Sequence, residues 1–375
     1  MTLQLVPFPA SRYADWRTEQ VERRYRWQFL PLWGDAATAR ERALAAVDQL
    51  APVDGLSGTQ LHLVIDDDGE AGWVWTVRHP GDLLVLDASV RAPGEALLPV
   101  LEAHARAGGA EVLLVDRMDP ASTTTALTAA AGFRPAGVTM ALDLAAGGEG
   151  RGGGADAADA AIVRLVPMSE DSFERYVGSA VAEYAEVIHS AGAGTWDEAL
   201  DRSIRDYRVL LPEGLGSPEQ ALFDVVAVPA PDAEPQPAGA GAQPLVGGTI
   251  GSAGAAGAVG GIAAVAAEPV LTGGVAVGDA AGEPVGAVWL GLRPPAAAFV
   301  YDVHLRPEAR GRGLGRAAME AAAAWCRARG VRVLGANVQG SNLAARAMYE
   351  SLGYRPVVEE LALPLAPLEP VTGPR

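Results

Sequence analysis

The feature that most restricts the fold of this chain is an internal repeat. Residues 72–75 (Gly-Trp-Val-Trp) recur as residues 286–289 (Gly-Ala-Val-Trp), an offset of 214. Residues 132–135 (Gly-Phe-Arg-Pro) recur as residues 353–356 (Gly-Tyr-Arg-Pro), an offset of 221. The predicted order of strands and helices repeats as well, which indicates duplicated structural units. The 375-residue chain is therefore predicted to be a tandem duplication of one unit that mixes strands and helices.

Composition separates the two copies. Residues 145–160 are rich in Gly, Ala and Asp, which is typical of a flexible linker, so the copies are assigned to residues 1–144 and 161–364. Residues 229–283 are almost entirely Ala, Gly, Pro and Val, where the first copy has a tight turn. Because this insertion has few large side chains to bury, we expect it to be mobile. A folded role for its Val and Ile residues at 245–275 stays open.

The second copy contains a glycine-rich segment between a predicted strand at 298–305 and a predicted helix at 317–329. The first N–H groups of a helix lack internal partners, and the helix dipole attracts anions there. Glycines let the backbone approach a phosphate closely, and arginines add forked donors. The segment suits a pyrophosphate, although alone it is equally typical of a surface turn. Its residues, with a preceding arginine, are Arg306, Arg310, Gly311, Arg312, Gly313, Leu314, Gly315 and Arg316.

A second pattern follows on a short predicted helix that ends at Gly353. Asn342, Ala345 and Tyr349 share one face of this helix, because residues three and four apart stack on a helix. The face therefore presents an amide and a phenol at a fixed distance along the chain from the glycine-rich segment.

The two segments together resemble the acyl-CoA-binding core of the GNAT N-acetyltransferase superfamily. The family's R/Q-x-x-G-x-G/A loop is matched by Arg310, Gly313 and Gly315. Its later signature, N-x-x-A-x-x-x-Y-x-x-x-G-F/Y, is matched by Asn342, Ala345, Tyr349, Gly353 and Tyr354. The resemblance implies an α/β (α+β) GNAT fold in two tandem copies, each with a mixed, mostly antiparallel central sheet flanked by helices. It also implies acetyl-CoA as co-substrate.

The first copy lacks the loop. Asp87 recurs as Asp302 at an offset of 215, whereas Gly132 recurs as Gly353 at an offset of 221, so the first copy is six residues shorter between residues 87 and 132. The counterparts of Asn342 and Tyr349 are Ala121 and Thr128. We therefore predict that the first copy keeps the fold without the pyrophosphate site. The resemblance implies that it serves as a scaffold or as one wall of the acceptor pocket.

Roles for individual residues follow from the resemblance. It implies that the pantetheine arm lies along the backbone of Val303, His304 and Leu305, with the pyrophosphate on residues 310–316 and Asn342 holding the cofactor. It also makes Tyr349 the general acid, since a phenol can supply a proton to the departing thiolate. The alternative for Tyr349 is a core-packing tyrosine of an amphipathic helix.

The general base is less well defined. Asp302 and His304 are predicted on one face of their strand, opposite to Tyr301. Glu183 lies on a predicted helix at 170–191, where the family's acceptor site forms, together with Tyr184, Glu186 and His189. We rank Asp302 first and Glu183 second, while the recurrence of Asp302 as Asp87 favours a structural role. A chain of water molecules is the remaining alternative.

Charge and composition exclude some function classes. The net charge of −17 argues against a nucleic-acid or anionic-membrane partner, although the local arginines suit a polyanionic cofactor and the acidic surface a cationic amine. The acidity equally fits a role in solubility alone.

The lone Cys326 excludes an internal disulfide and is expected to be half-buried on a helix. The five histidines lack metal-ligand spacing. No leader or long apolar run is evident, so a cytoplasmic protein is expected.

The leading hypothesis is an N-acetyltransferase that moves an acetyl group from acetyl-CoA to a primary amine of a small molecule. The amine attacks directly in a ternary complex, and the second copy is the active one. Three alternatives stay open: a protein or peptide N-acetyltransferase, an enzyme like mycothiol synthase with the same tandem layout, and a non-catalytic acyl-CoA-binding protein. The sequence identifies neither the acceptor nor the oligomeric state.

Overall fold

The computed structural model describes residues 2–53, 55–56, 58–129, 132–145, 162–190, 195–228 and 282–365. The predicted linker, except Ala145, and the predicted insertion, except residues 282 and 283, lie outside the described residues. The expectation that they are flexible therefore stays a prediction.

The first copy follows the predicted order of elements. Its strands are β1 (Gln4–Pro7), β2 (Thr59–Asp66), β3 (Gly69–His79), β4 (Asp82–Val90), β5 (Val112–Arg117) and β6 (Arg134–Asp143). Its helices are α1 (Tyr13–Arg24), which continues through a π-helical stretch (Tyr25–Phe29) into α2 (Leu30–Trp33), then α3 (Ala36–Leu50), α4 (Gly94–Ala107) and α5 (Thr123–Ala129).

The second copy repeats that order. Its strands are β7 (Ile162–Pro167), β8 (Gln220–Val228), β9 (Pro284–Arg293), β10 (Ala297–Leu305), β11 (Val333–Gln339) and β12 (Arg355–Pro364). Its helices are α6 (Glu170–Ser190), α7 (Trp196–Leu210), α8 (Leu314–Arg327) and α9 (Leu343–Ser351). Helix α7 begins at the predicted capping box, in which Thr195 and Glu198 bind each other's backbone N–H groups.

All twelve strands join one sheet, in the order β1-β2-β3-β4-β5-β12-β6-β11-β10-β9-β8-β7. The two copies exchange their last strands: β12 pairs with β5 of the first copy, and β6 pairs with β11 of the second. The exchanged strands also pair with each other. Each copy is thus completed by the other, an arrangement that the repeat boundaries do not predict.

The register of the sheet confirms the repeat. In the first copy the pairing of β3 with β4 slips at Trp75, opposite Asp87, and in the second copy the pairing of β9 with β10 slips at Trp289, opposite Asp302. Each slip is a β-bulge that inserts one extra residue into the fourth strand. The two bulges stand at matching positions, so both copies bend this strand in the same place.

Helices cover both faces of the second copy. On one face, Val300 and Val303 of β10 pack with Leu314 and Met319 of α8. On the other face, Trp289 packs with residues of α6 and α7. No helix within the described residues is long and apolar enough to span a membrane.

Gly286 of β9 lies against the backbone of β10, and its replacement by Ala is expected to destabilise the protein. An added Cβ would lie 2.1 Å from the carbonyl oxygen of His304. Overpacking of this kind costs about 1–3 kcal/mol, so we expect the free energy of unfolding in urea to fall by that amount. Gly216→Ala is the control, because its Cβ would meet nothing closer than 3.9 Å. Equal stability of the two variants would contradict this close approach.

Candidate functional site

The fourth and fifth strands of the second copy diverge. β10 and β11 are parallel and pair only from Ala297 with Val333 to Val300 with Ala336. Beyond that point β10 continues to Leu305, paired on its other side with β9, whereas β11 continues paired with β6. Within the described residues, the edge of β10 that faces β11 therefore has no strand partner near its end. The backbone of Val303, His304 and Leu305, predicted to hold the pantetheine arm, lies there.

The glycine-rich loop leads from this strand end to the N-terminus of α8. After a single 3₁₀ turn (Pro307–Ala309), Gly311 and Gly313 adopt left-handed φ values of 71° and 75°. The helix begins at Leu314, three residues before the predicted start, and no side chain caps it. The first N–H groups of α8 thus remain available, in open space beside Gly313. This geometry suits an anion.

The arginines of the loop have different surroundings. Arg310 donates from Nε to the carbonyl oxygen of Leu305 at 2.9 Å, which fixes the shape of the loop. Arg306 pairs with Glu283, and Arg316 binds the Ser351 hydroxyl. Among the described residues Arg312 has no ion pair or side-chain hydrogen bond, so all of its guanidinium donors are unused.

Helix α9 supplies the amide and the phenol. Asn342 is its N-cap, and the side-chain oxygen accepts a hydrogen bond from the Ala345 N–H at 3.0 Å. Tyr349 is 1% exposed, and its ring packs edge-on against Tyr354 with ring centroids 4.9 Å apart. Burial, and secondly the charge of Asp302, raise the pKa of Tyr349, so its hydroxyl stays protonated over the physiological range.

Asp302 lies at the bulge of β10 and is buried. Its Oδ2 accepts a hydrogen bond from the Tyr176 hydroxyl of α6 at 2.8 Å. Burial raises the pKa of Asp302 to about 7, and the nearby charge of Glu183 acts in the same direction, while the hydrogen bond from Tyr176 opposes the shift. A carboxyl group with this pKa exchanges a proton near neutral pH.

The bulge also corrects one prediction about the faces of β10. Asp302 and His304 do lie on the α6 side, where Glu183 Oε2 is 3.7 Å from His304 Nδ1. Tyr301, expected on the opposite face, packs on this side too, against Trp289 at 5.0 Å between ring centroids. The extra residue of the bulge breaks the alternation of side chains, so two consecutive residues face the same helices.

A comparison of the chain with known proteins identifies this region. Residues 266–354 match the model of the Acetyltransferase (GNAT) family. The second copy is a GNAT-family domain. The mycothiol acetyltransferase of Beutenbergia cavernae is 40% identical to this chain over 79 residues, which make up 21% of this chain and 27% of that relative. The matched stretch thus spans about a quarter of the relative's length.

Solved structures with the GNAT fold resemble the whole chain at low sequence identity. A tandem GNAT protein from the clavulanic acid biosynthesis pathway is 16% identical, with 98% of this chain and 100% of that chain covered and a TM-score of 0.38. A GCN5-related N-acetyltransferase from Sphaerobacter thermophilus is 15% identical, with 97% and 96% covered and a TM-score of 0.47.

Two other side chains that the sequence analysis considered, Cys326 and His189, lie in the GNAT domain. Cys326, predicted to be half-buried, is fully buried, because its position on α8 faces the sheet. Burial raises the pKa of its thiol to about 12, so the thiol is unreactive at neutral pH. His189 is exposed and its ring lies edge-on to Trp196, with 6.1 Å between ring centroids.

Sequence reasoning missed two tyrosines of the GNAT domain. Tyr176 contacts Asp302 directly, and Tyr207 of α7 lies close enough that Asp302 contributes to its raised pKa, after the larger effect of burial. Both are buried and could be taken for ordinary core aromatics. The sequence does carry a difference at Tyr176: counted from the Leu-Val-Pro segments at 5–7 and 165–167, its counterpart in the first copy is Trp16, which has no hydroxyl.

Proposed function

We propose that this protein is an acetyl-CoA-dependent N-acetyltransferase whose second copy acetylates the primary amine of a small molecule. The observation that carries the proposal is the gap between β10 and β11, which opens beside the uncapped N-terminus of α8. Asp302 and Tyr349 are within electrostatic reach of each other near this gap. A thioester placed in the gap would therefore lie between a proton acceptor and a hydrogen-bond donor.

The residues present fit acetyl-CoA. The pyrophosphate would accept hydrogen bonds from the N–H groups at the start of α8, with Arg312 adding a guanidinium. The pantetheine amides would pair with the backbone edge of Val303, His304 and Leu305 that lacks a strand partner among the described residues, although the Leu305 carbonyl oxygen already accepts from Arg310. Asn342 is the N-cap of α9, and its side-chain oxygen accepts from the Ala345 N–H, which fixes the position of the side chain predicted to hold the cofactor.

Asp302 is proposed as the general base. The neutral amine nitrogen attacks the thioester carbonyl carbon, a C–N bond forms, and the C–S bond breaks with its electron pair left on sulfur. The proton lost by the amine nitrogen goes to the Asp302 carboxylate, whose pKa of about 7 suits proton exchange at neutral pH. Glu183, the second candidate, is half-exposed and lies beside His304.

Tyr349 is proposed to assist the leaving sulfur. Its pKa is raised, whereas a thiol has a pKa of about 8.5 by analogy with cysteine. Full transfer of the phenolic proton to the thiolate is therefore uphill, and the hydroxyl acts mainly by donating a hydrogen bond as negative charge develops on sulfur. The proton that finally neutralises the thiolate is then supplied by solvent.

Calorimetric titration with acetyl-CoA tests the cofactor site. We expect one site per chain, and we expect Arg312→Glu combined with Gly313→Pro to abolish it, because proline cannot adopt the φ of 75° that Gly313 has. Arg205→Glu, an exposed charge reversal on α7, is the control and should bind normally. Two sites per chain would show that the first copy also binds, and no binding by the wild-type protein would overturn the proposal.

A peptide acceptor and a purely binding role are the competing proposals. Release of free thiol in a screen of small amines and N-terminal peptides distinguishes a small-molecule acceptor from a peptide acceptor. The relative from Beutenbergia cavernae is named for mycothiol, and the 40% identity over 79 residues makes a mycothiol-type acceptor a further member of that screen. Acetyl-CoA binding without thiol release from any acceptor would favour the binding role.

A further inference from the structure

The two copies can be aligned residue by residue on the face that carries α1 and α6. β1 and β7 both end in Leu-Val-Pro, at residues 5–7 and 165–167, an offset of 160. The strand pairing gives the same correspondence. In the first copy Leu61 lies opposite Trp75 of the bulge, and the next residue, His62, lies opposite Pro7. In the second copy Leu222 lies opposite Trp289 of the bulge, and the next residue, Phe223, lies opposite Pro167.

The helices keep this offset. Positions 16, 20 and 24 of α1 are buried, and so are positions 176, 180 and 184 of α6. Residues 17–19 also match residues 177–179 in exposure. Arg23 therefore corresponds to Glu183, and Asp87 corresponds to Asp302. The same place beside the bulge is occupied by a cation in one copy and an anion in the other.

In the first copy the bulge aspartate is neutralised by the chain itself. Arg23 donates from Nε to Asp87 Oδ2 at 2.7 Å and from Nη2 to Asp87 Oδ1 at 3.1 Å. Its Nη1 is also 3.6 Å from Asp119 Oδ2. A guanidinium held by two carboxylates thus lies beside the bulge of the first copy. This fixes where a cation sits relative to the bulge in this fold.

In the second copy the corresponding cation is missing from the described residues. Asp302 accepts from the neutral hydroxyl of Tyr176, and Glu183 lies beside His304. Burial lowers the pKa of His304, and the charges of Arg310 and Arg306 lower it further against the opposing effect of Glu183, so the imidazole is neutral at pH 7. Among the described residues, Glu183 therefore has no ion pair with a charged cation beside this neutral imidazole.

We propose that the second copy binds, between α6 and the bulge of β10, an acceptor that carries a positively charged second amine besides the reactive one, in the place that Arg23 fills in the first copy. The reactive amine lies at Asp302, and a second ammonium group lies at Glu183, which is thereby a specificity-determining residue. The acceptor class is a small diamine or polyamine. This inference rests on the proposed function for the reactive amine, but the recognition of the second charge can be measured without turnover.

The first test is calorimetric binding of 1,4-diaminobutane and butylamine to the protein loaded with CoA, which cannot transfer an acetyl group. An exposed ion pair contributes up to about 1 kcal/mol, so the diamine should bind about fivefold more tightly than the monoamine at low ionic strength. Glu183→Gln should remove this preference, and Glu174→Gln, an exposed change on the same helix, should keep it. Equal affinities in the wild-type protein, or an unchanged preference in Glu183→Gln, would overturn the inference.

The second test converts the pocket to the arrangement of the first copy. Glu183→Arg should place a guanidinium on Asp302, abolish the binding of both amines and leave the dissociation constant for acetyl-CoA within about twofold, since α6 does not form the glycine-rich loop. If the variant still bound the diamine, the correspondence between Arg23 and the acceptor would be wrong. A wild-type protein that prefers the diamine but acetylates no amine would contradict the proposed function and leave the charge recognition supported.

Discussion

Replacement of Tyr349 by Phe is expected to lower kcat for amine acetylation about a hundredfold, the lower end of the range for loss of one positioned hydrogen-bond donor. The ring would still pack against Tyr354, so the fold should be unchanged. Only the hydrogen bond to the leaving sulfur is lost, and this bond forms mainly as charge develops in the transition state. The dissociation constant for acetyl-CoA, measured by calorimetry, should therefore stay within about twofold of the wild-type value.

The neighbouring tyrosine provides a matched control for that experiment. Tyr354 is also buried, and its hydroxyl has no hydrogen-bond partner within the described residues. Tyr354→Phe removes an unpartnered hydroxyl from the same ring pair, so it should change neither kcat nor acetyl-CoA affinity. Full activity of Tyr349→Phe, or an equal loss in both variants, would assign Tyr349 to packing alone.

The order of elements and the glycine-rich loop could be predicted from the sequence because both depend on residues that are close together in the chain. The capping box at Thr195 and the glycines with left-handed φ are short-range signals, and they lie where the sequence predicts them. The prediction that the second copy resembles a GNAT domain is likewise confirmed by the family match. The assignments of Tyr349, Asn342 and the loop residues to their roles remain predictions.

The exchange of strands could not be predicted, because it depends on long-range pairing. β6 and β12 occupy equivalent positions in the repeat, and both begin with Arg-Pro. A pattern with a period of two fixes which face of a strand is buried, but not which of two equivalent neighbours it pairs with. The same limit applies to the bulge at Asp302, since nothing local marks the extra residue.

Asp302→Asn is the second change with a large expected effect. The variant cannot accept the proton of the amine, so kcat/KM should fall by about a hundredfold or more at pH 8. In the wild-type protein kcat/KM, calculated for the neutral form of the amine, should rise with pH to a plateau, with a midpoint near 7, because the active form is the carboxylate and its pKa is about 7. The variant should lose this midpoint. A wild-type rate and pH profile in the variant would favour a chain of water molecules as the base.

Stability should move in the opposite direction, and this distinguishes a base from a structural carboxylate. Burial raises the pKa of Asp302 above that of an unfolded aspartate, so the folded state favours the neutral form, and stability is lost as the pH rises from about 4 to 7. The amide introduced by Asp302→Asn is uncharged at every pH and can still accept from Tyr176, so this variant should be more stable than the wild-type protein above pH 7, with a difference that shrinks towards pH 4. Asp87→Asn is the contrast, because it breaks the pair with Arg23 and should lower stability without shifting the pH profile of activity. An Asp302→Asn variant that lost activity and stability together would place Asp302 in the same structural role as Asp87.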